Sequence, residues 1–349
     1  MKKQTFLITG GTGFLGCHLA RNLVNRGHRV KLLDLETLNE PDLWGQVENY
    51  VGDIRNKLLV DRLMQGVDVV IHAAAALPLA KPKEIIDTTV RGTKIVLEAA
   101  KKNHVKRVVY ISSTAVYGVP EKHPILESDP RVGVGPYGNA KIEAEKICEK
   151  MRKQKMAVAI IRPKTFIGTG RLGVFQILFD WVRRGAKIPV IGDGSNRYQL
   201  MDVEDLANAV WLAASRPTRL ANDTFNVGGK KFKTIEEDLN DFFKKVGSES
   251  RVLKTPAGLI KGTLAFFERL GLSPLYAWVY ATADKDSFVS TEKIEKKLGW
   301  RAKYSNTDTL VRTFEWYQKH WKEYEHQTGI THRVAWKQGI LKIARWILQ

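Results

Sequence analysis

Phe6-Leu7-Ile8 is an apolar run without a polar face. It leads into Thr9-Gly10-Gly11-Thr12-Gly13, and from Phe14 onward the apolar residues recur at helical spacing. That change of period predicts a buried strand near 4–9 followed by a helix near 14–26. The alternation continues with strands near 29–34, 48–51, 68–73 and 106–112, and helices near 57–65, 83–103 and 139–153. Val69-Val70-Ile71 and Val108-Val109-Tyr110-Ile111 are continuous apolar runs, as strands covered on both faces must be. The expected fold class is α/β, a doubly wound parallel sheet.

Past Ile167 the pattern changes. Arg171 to Gly194 reads as a helix and loop, Asp202 to Ala214 as a helix returning to the sheet, and Asp223 to Val227 as a strand. The expected division is a nucleotide-binding domain over residues 1–170 with a return segment 197–229. Residues 171–196 and 230–325 would form a smaller, mostly helical substrate lobe, and 326–349 a C-terminal helix.

The glycines give the first pattern its chemistry. Gly11, Gly13 and Gly16 fit G-x-G-x-x-G, and Gly10, Gly13 and Gly16 fit the wider G-x-x-G-x-x-G. Either spacing permits a tight turn, brings backbone close to a pyrophosphate and lets the helix pack on the strand. The unpaired N–H groups at the helix start, at Phe14, Leu15 and Gly16, would hold the phosphates. A Gly-rich turn can also be merely structural. Here the second predicted strand ends in Asp34, about 20 residues on, where a ribose-binding carboxylate is expected. Gly52-Asp53-Ile54 follows the third strand, and Asp53 either reaches the adenine or is an ordinary loop aspartate. Ala73, Ala74 and Ala75 follow the fourth, small enough for a cofactor to approach the backbone or for a tightly packed turn.

The fifth strand delivers Ile111-Ser112-Ser113, and Tyr137 and Lys141 then stand four apart at a helix start marked by Pro136. On a helix they share a face. An ammonium beside a phenol lowers a pKa that starts near 10, making the tyrosine a usable acid or base. Alone, Tyr-x-x-x-Lys is a surface pair; after this glycine turn and a Ser-Ser strand end, it is a catalytic candidate with Ser113.

Charge and composition add partners. Among 349 residues the net charge is +19, which attracts anionic partners. Nucleic acid is not expected, since no helix-turn-helix, zinc-finger or RNA-binding aromatic signature occurs. Cys17 and Cys148 sit far apart in predicted helices, which argues for structural thiols in a reducing compartment. Nothing at the N-terminus reads as a signal peptide, so a cytoplasmic protein is expected. Pro256 to Ala281 is apolar and aromatic, but Lys261, Glu268, Arg269 and Pro274 argue against a membrane span. Core packing, a greasy substrate channel and a membrane-facing lid remain open for it. In Arg333 to Gln349, Lys342 and Arg345 lie opposite Trp336, Ile340, Ile343 and Ile347. Such a helix suits either an anionic membrane surface or docking on the protein itself.

Together these residues resemble the extended short-chain dehydrogenase/reductase superfamily, specifically its NAD-dependent epimerase/dehydratase group. The likeness runs from about residue 4 to 320, through the glycine turn, Asp34, Asp53-Ile54, the alanines, Ser-Ser-x-x-Val-Tyr-Gly, Tyr-x-x-x-Lys, Ile161-Arg162-Pro163, Gly192-Asp193-Gly194, Val203-Glu204-Asp205 and Leu298-Gly299-Trp300. It implies Tyr137 as acid/base, Lys141 on the nicotinamide ribose and Ser113 on the substrate oxygen. It also implies NAD as cofactor, with Asp34 disfavouring NADP; no metal and a homodimer are expected. Some positions depart from the group. Thr114-Ala115 stands where the 4,6-dehydratases carry Asp-Glu. Thr165 replaces an asparagine, Tyr198 an arginine with Arg197 one place off, and Thr89 an asparagine. The expected activity is oxidation or epimerisation of a secondary hydroxyl, on a sugar carried by a nucleotide or lipid diphosphate. A 3-beta-hydroxysteroid-dehydrogenase-like enzyme acting on a lipid hydroxyl is the alternative, and a non-catalytic NAD-binding membrane-associated protein is the reading from another class.

Overall fold

A computed structural model describes residues 2–78, 80–269, 280 and 282–324. The expected C-terminal helix and most of the apolar stretch after residue 269 lie outside the described residues. In chain order the main elements are β1 (Thr5–Thr9), α1 (Phe14–Val24), β2 (Arg29–Asp34), β3 (Glu48–Val51), α2 (Lys57–Met64), β4 (Val69–His72), α3 (Pro82–Ile86), α4 (Gly92–Lys102), β5 (Arg107–Ile111), α5 (Gly135–Lys153) and β6 (Val158–Pro163). They continue as β7 (Phe166–Ile167), α6 (Val174–Arg183), β8 (Ile188–Ile191), β9 (Met201–Asp202), α7 (Val203–Ser215), α8 (Thr218–Ala221), β10 (Thr224–Val227), α9 (Ile235–Lys245), β11 (Val252–Thr255), α10 (Ala257–Arg269), α11 (Glu292–Leu298) and α12 (Asn306–Tyr324).

Seven strands form one sheet in the order β10-β6-β5-β4-β1-β2-β3. Every pairing is parallel. The doubly wound α/β class expected from the sequence is therefore the class found. Neighbouring residues on a strand feed opposite faces. Phe6, Ile8, Ile71, Val109 and Ile161 pack with residues of α1 and α7, while Leu7, Val70, Val108, Tyr110 and Ile160 pack with residues of α2, α4 and α5. A third core, built from Phe179, Phe242, Phe314 and Tyr317, joins α6, α9 and α12. There Thr234 and Glu237 form a capping box that starts α9.

Three elements differ from the sequence expectation. The single helix expected over 83–103 is α3 and α4 joined by a π-helical turn at Asp87–Arg91. α5 begins at Gly135, four residues early, because Pro136 occupies its first turn, where a missing N–H costs nothing. The stretch Arg171 to Gly194 also contains β8, which pairs with β11. Cys17 and Cys148 are buried and stand outside any disulfide. Among the described residues no helix is long and apolar enough to cross a membrane.

Candidate active site

The strand order reverses between β1 and β4, and the carboxyl ends beside such a reversal are where open sheets bind ligands. The glycine turn lies there. Gly10 adopts φ +70°, and a Cβ on it would meet Ala74 N at 2.8 Å, so the turn and the alanine strand end touch backbone to backbone. A Cβ on Gly16 would meet Gly10 O at 2.2 Å, which fixes how closely α1 packs on the turn. Gly13 is the N-cap of α1 and offers no side-chain acceptor. The N–H groups of Phe14, Leu15 and Gly16 begin the helix with no carbonyl one turn back inside it. A pyrophosphate satisfies such a helix start.

Asp34 ends β2 with one backbone donor on each carboxylate oxygen. Thr12 N donates to Oδ2 at 3.0 Å and Leu35 N to Oδ1 at 2.7 Å. Its remaining lone pairs are free to accept from a ribose, so turn, helix start and acid fit a dinucleotide together. Asp53 sits differently. It receives Arg55 Nη2 at 2.6 Å, and this arginine also reaches Asp87 at 2.9 Å. Hydrogen bonds from Arg55 hold the Asp53 carboxyl below its usual range. Ile54 is buried in the core against Gly92 rather than open to the crevice. Ala73, Ala74 and Ala75 are half-buried at the end of β4.

Ser113 follows β5 and caps the short 3-10 turn Thr114–Tyr117, its Oγ accepting Ala115 N at 3.1 Å. Across from it, α5 presents Tyr137, Lys141 and Glu145 on one face, one turn apart. Lys141 is buried, donates to Ile111 O at 2.8 Å and lies 5.8 Å from the centroid of the Tyr137 ring. Burial pushes the Tyr137 phenol up to about 12, with a hydrogen bond from Ser113 acting the other way. Burial likewise pulls Lys141 down to about 8, against the field of Glu145. The lowering of the phenol expected from Lys141 is thus not found in this arrangement, where desolvation dominates and Ser113 alone opposes it.

Several supporting groups are absent from the sequence reading. Glu145, fully buried, takes Arg162 Nη2 at 2.6 Å, Arg131 Nη1 at 2.8 Å and Ser112 Oγ at 2.5 Å. Its spacing of four from Lys141 is the sequence signal that could have found it. His72 bridges Thr9 Oγ1 at 2.6 Å and Thr93 Oγ1 at 3.0 Å, and Thr93 in turn bonds Thr89 O in the π-helical turn. Burial pulls the His72 ring down to about 3, so it is neutral. Two of the departures from the resembled group meet each other, Thr165 Oγ1 lying 2.6 Å from Tyr198 OH. Arg197 instead stacks on Phe232 and Phe288. Among the described residues no group of three or more His, Cys, Asp and Glu side chains gathers for a metal.

Residues 6–228 match the model of the NAD dependent epimerase/dehydratase family. An uncharacterised protein of Sinorhizobium fredii is 35% identical, over 99% of this chain and 87% of its own. A UDP-glucose 4-epimerase of Lactobacillus helveticus is 29% identical, over 91% of this chain and 98% of its own. Among solved structures, MoeE5 in complex with UDP-glucuronic acid and NAD superposes with a TM-score of 0.74 at 24% identity, covering 90% of this chain and 99% of that one. A UDP-glucose 4-epimerase of Thermotoga maritima with UDP-glucose gives 0.75 at 23%, covering 91% and 99%. At these identities the structural likeness establishes the fold.

Proposed function

Since the chain belongs to the NAD-dependent epimerase/dehydratase family, and is an NAD-dependent enzyme of the extended short-chain type, we propose that it epimerises a secondary hydroxyl of a sugar carried on a nucleotide diphosphate. The observation that carries the reading is the convergence of Ser113, Tyr137 and Lys141 past the end of β5, two strands from the one that leads into the glycine turn. The 4-epimerase relative, matched along 98% of its own length, supports this substrate class.

In this reading the turn at Gly10, Gly13 and Gly16, the helix start at Phe14 and Leu15, and Asp34 hold the dinucleotide. Asp53 and the alanines 73–75 line its adenosine and ribose side, while Ile54 packs behind them against Gly92. NAD supplies the site with a hydride acceptor that can return the hydride. Tyr137 takes the proton of the substrate hydroxyl and later gives it back, Ser113 hydrogen-bonds the same oxygen, and Lys141 fixes the ribose and supports the phenolate. The buried Glu145–Arg162 pair holds α5, and with it Tyr137, against β6.

The test is to load the full chain with NAD and supply UDP-glucose. UDP-galactose should accumulate to an equilibrium mixture without net NADH. Tyr137→Phe should retain NAD and lose roughly 10²–10⁴-fold in rate. Stoichiometric NADH, or an undiminished Tyr137→Phe enzyme, would overturn the epimerase reading.

A second reading has its own observation. Leu259 and Phe266, seven residues apart and so on one face of α10, are 67% and 58% exposed. With a net charge of +19 this suits a substrate sugar carried on a lipid diphosphate, the protein resting on an anionic membrane surface. Full-length protein should sediment with vesicles containing anionic lipid, and deletion of Arg333 to Gln349 should release it while NAD stays bound. Equal sedimentation of the truncated chain would remove the tail from that role.

A further inference from the structure

Lys164 follows directly on β6, at the carboxyl edge of the sheet next to the strand that delivers Ser113. It is 2% exposed. Its Nζ donates to Ser287 Oγ at 2.6 Å and lies 4.6 Å above the Tyr198 ring. Both neighbours come from outside the sheet, so the amine occupies the layer between the sheet's edge and the segments that cover it.

Among the described residues no carboxylate pairs with it. Asp286, next to Ser287, accepts Arg197 N at 2.8 Å, and His123 stands near enough to feel the lysine's charge. The contrast with Lys141 is instructive. That buried amine has a backbone carbonyl and the field of Glu145, whereas desolvation acts on Lys164 unopposed and pulls it down to about 7. A fold rarely buries an ammonium without a counterion, and a hydroxyl supplies a hydrogen bond but no charge.

We propose that Lys164, positioned by Ser287 and the Tyr198 ring, is the receptor for an anionic group of the substrate. The inference rests on the nucleotide-sugar reading above and adds a specificity determinant to it. The anion is either a carboxylate on the sugar ring or the diphosphate that carries the sugar. Either would accept a short charge-assisted hydrogen bond from Nζ and supply the missing counter-charge. The hydroxyl pair Thr165 and Tyr198 stands beside it to complete the polar wall.

The test is calorimetric titration of the NAD-loaded full chain, wild type and Lys164→Met, with UDP-glucuronic acid, UDP-glucose and UDP. Lys164→Met should unfold at or above the wild-type temperature, since it removes a buried unpaired charge. If the ring carboxylate is the anion, its affinity for UDP-glucuronic acid should fall about tenfold or more while UDP-glucose and UDP stay within about twofold. If the diphosphate is the anion, all three should weaken alike. Should Lys164→Met fail to fold, Ser287→Ala should show the same pattern with a smaller shift. A folded variant that binds all three as wild type does would overturn the inference and leave the nucleotide-sugar reading standing. A wild-type protein that binds none of them would overturn both.

Discussion

Buried charge at single residues sets much of this molecule's behaviour. Asp202, fully buried at the start of α7, uses Oδ1 to accept Glu204 N at 2.9 Å. Burial raises its carboxyl to about 6, with Asp205 and Glu204 adding to the effect and Arg312 opposing it. The sign follows from linkage. Below the unfolded pKa both states hold the proton; as pH rises, the unfolded chain releases it first, so stability falls until the folded group also ionises near 6. Asp202→Asn keeps a capping oxygen and cannot ionise. It should stabilise the protein by about 1–3 kcal/mol at pH 8 and by almost nothing at pH 4, read as the difference between thermal melts at the two values. Residue-scale chemistry was only partly legible in the sequence. Tyr137 and Lys141 were visible because one helical turn relates them. Glu145 with Arg162, His72 with Thr9 and Thr93, and Thr165 with Tyr198 meet across 17 to 63 positions of chain, which spacing alone does not reveal.

At the scale of elements, the turn between β1 and α1 is the best specified piece of the molecule. The clash at Gly16 is with backbone, Gly10 O and Gly11 O, and backbone cannot rotate aside as a side chain can. Gly16→Ala should therefore push α1 off the turn, lowering NAD affinity at least about tenfold and destabilising the fold by roughly 1–3 kcal/mol. Fluorescence titration with NAD and a thermal melt would check both. The same local logic explains why most strands and helices up to residue 112 were readable: each is a run or a 3.6-residue repeat, and most are bounded by Gly or Pro. The π-helical turn at Asp87–Arg91 was not, because it holds a single apolar residue, Val90, too little to mark a change of period. Its marker is tertiary, the Thr93 hydroxyl bonded back to Thr89 O beside His72.

For the whole molecule, the sheet order follows from few rules. Alternating strand and helix with both-sided apolar strands leaves a doubly wound sheet as the natural solution. The chain past Ile167 was harder, since β8 pairs with β11 across more than 60 residues and the third core draws on three separate helices. Net charge is the other global quantity. If anionic lipid is bound through charge rather than through Leu259 and Phe266 alone, vesicle sedimentation should fall steeply between 0.05 and 0.5 M salt, as screening shortens the reach of exposed charges. Binding that ignores salt would assign it to the apolar contacts.

The two backbone bonds that hold Asp34 carry a consequence for how readily such an enzyme could change its cofactor. The carboxylate that would meet the ribose is also the acceptor that pins Thr12 inside the glycine turn and Leu35 beyond β2. Replacing it to admit a 2'-phosphate removes two acceptors from the loop that must still grip the pyrophosphate. A switch of preference by one substitution would therefore arrive with a weaker hold on any dinucleotide, and the path from one cofactor to the other runs first through rebuilding the turn.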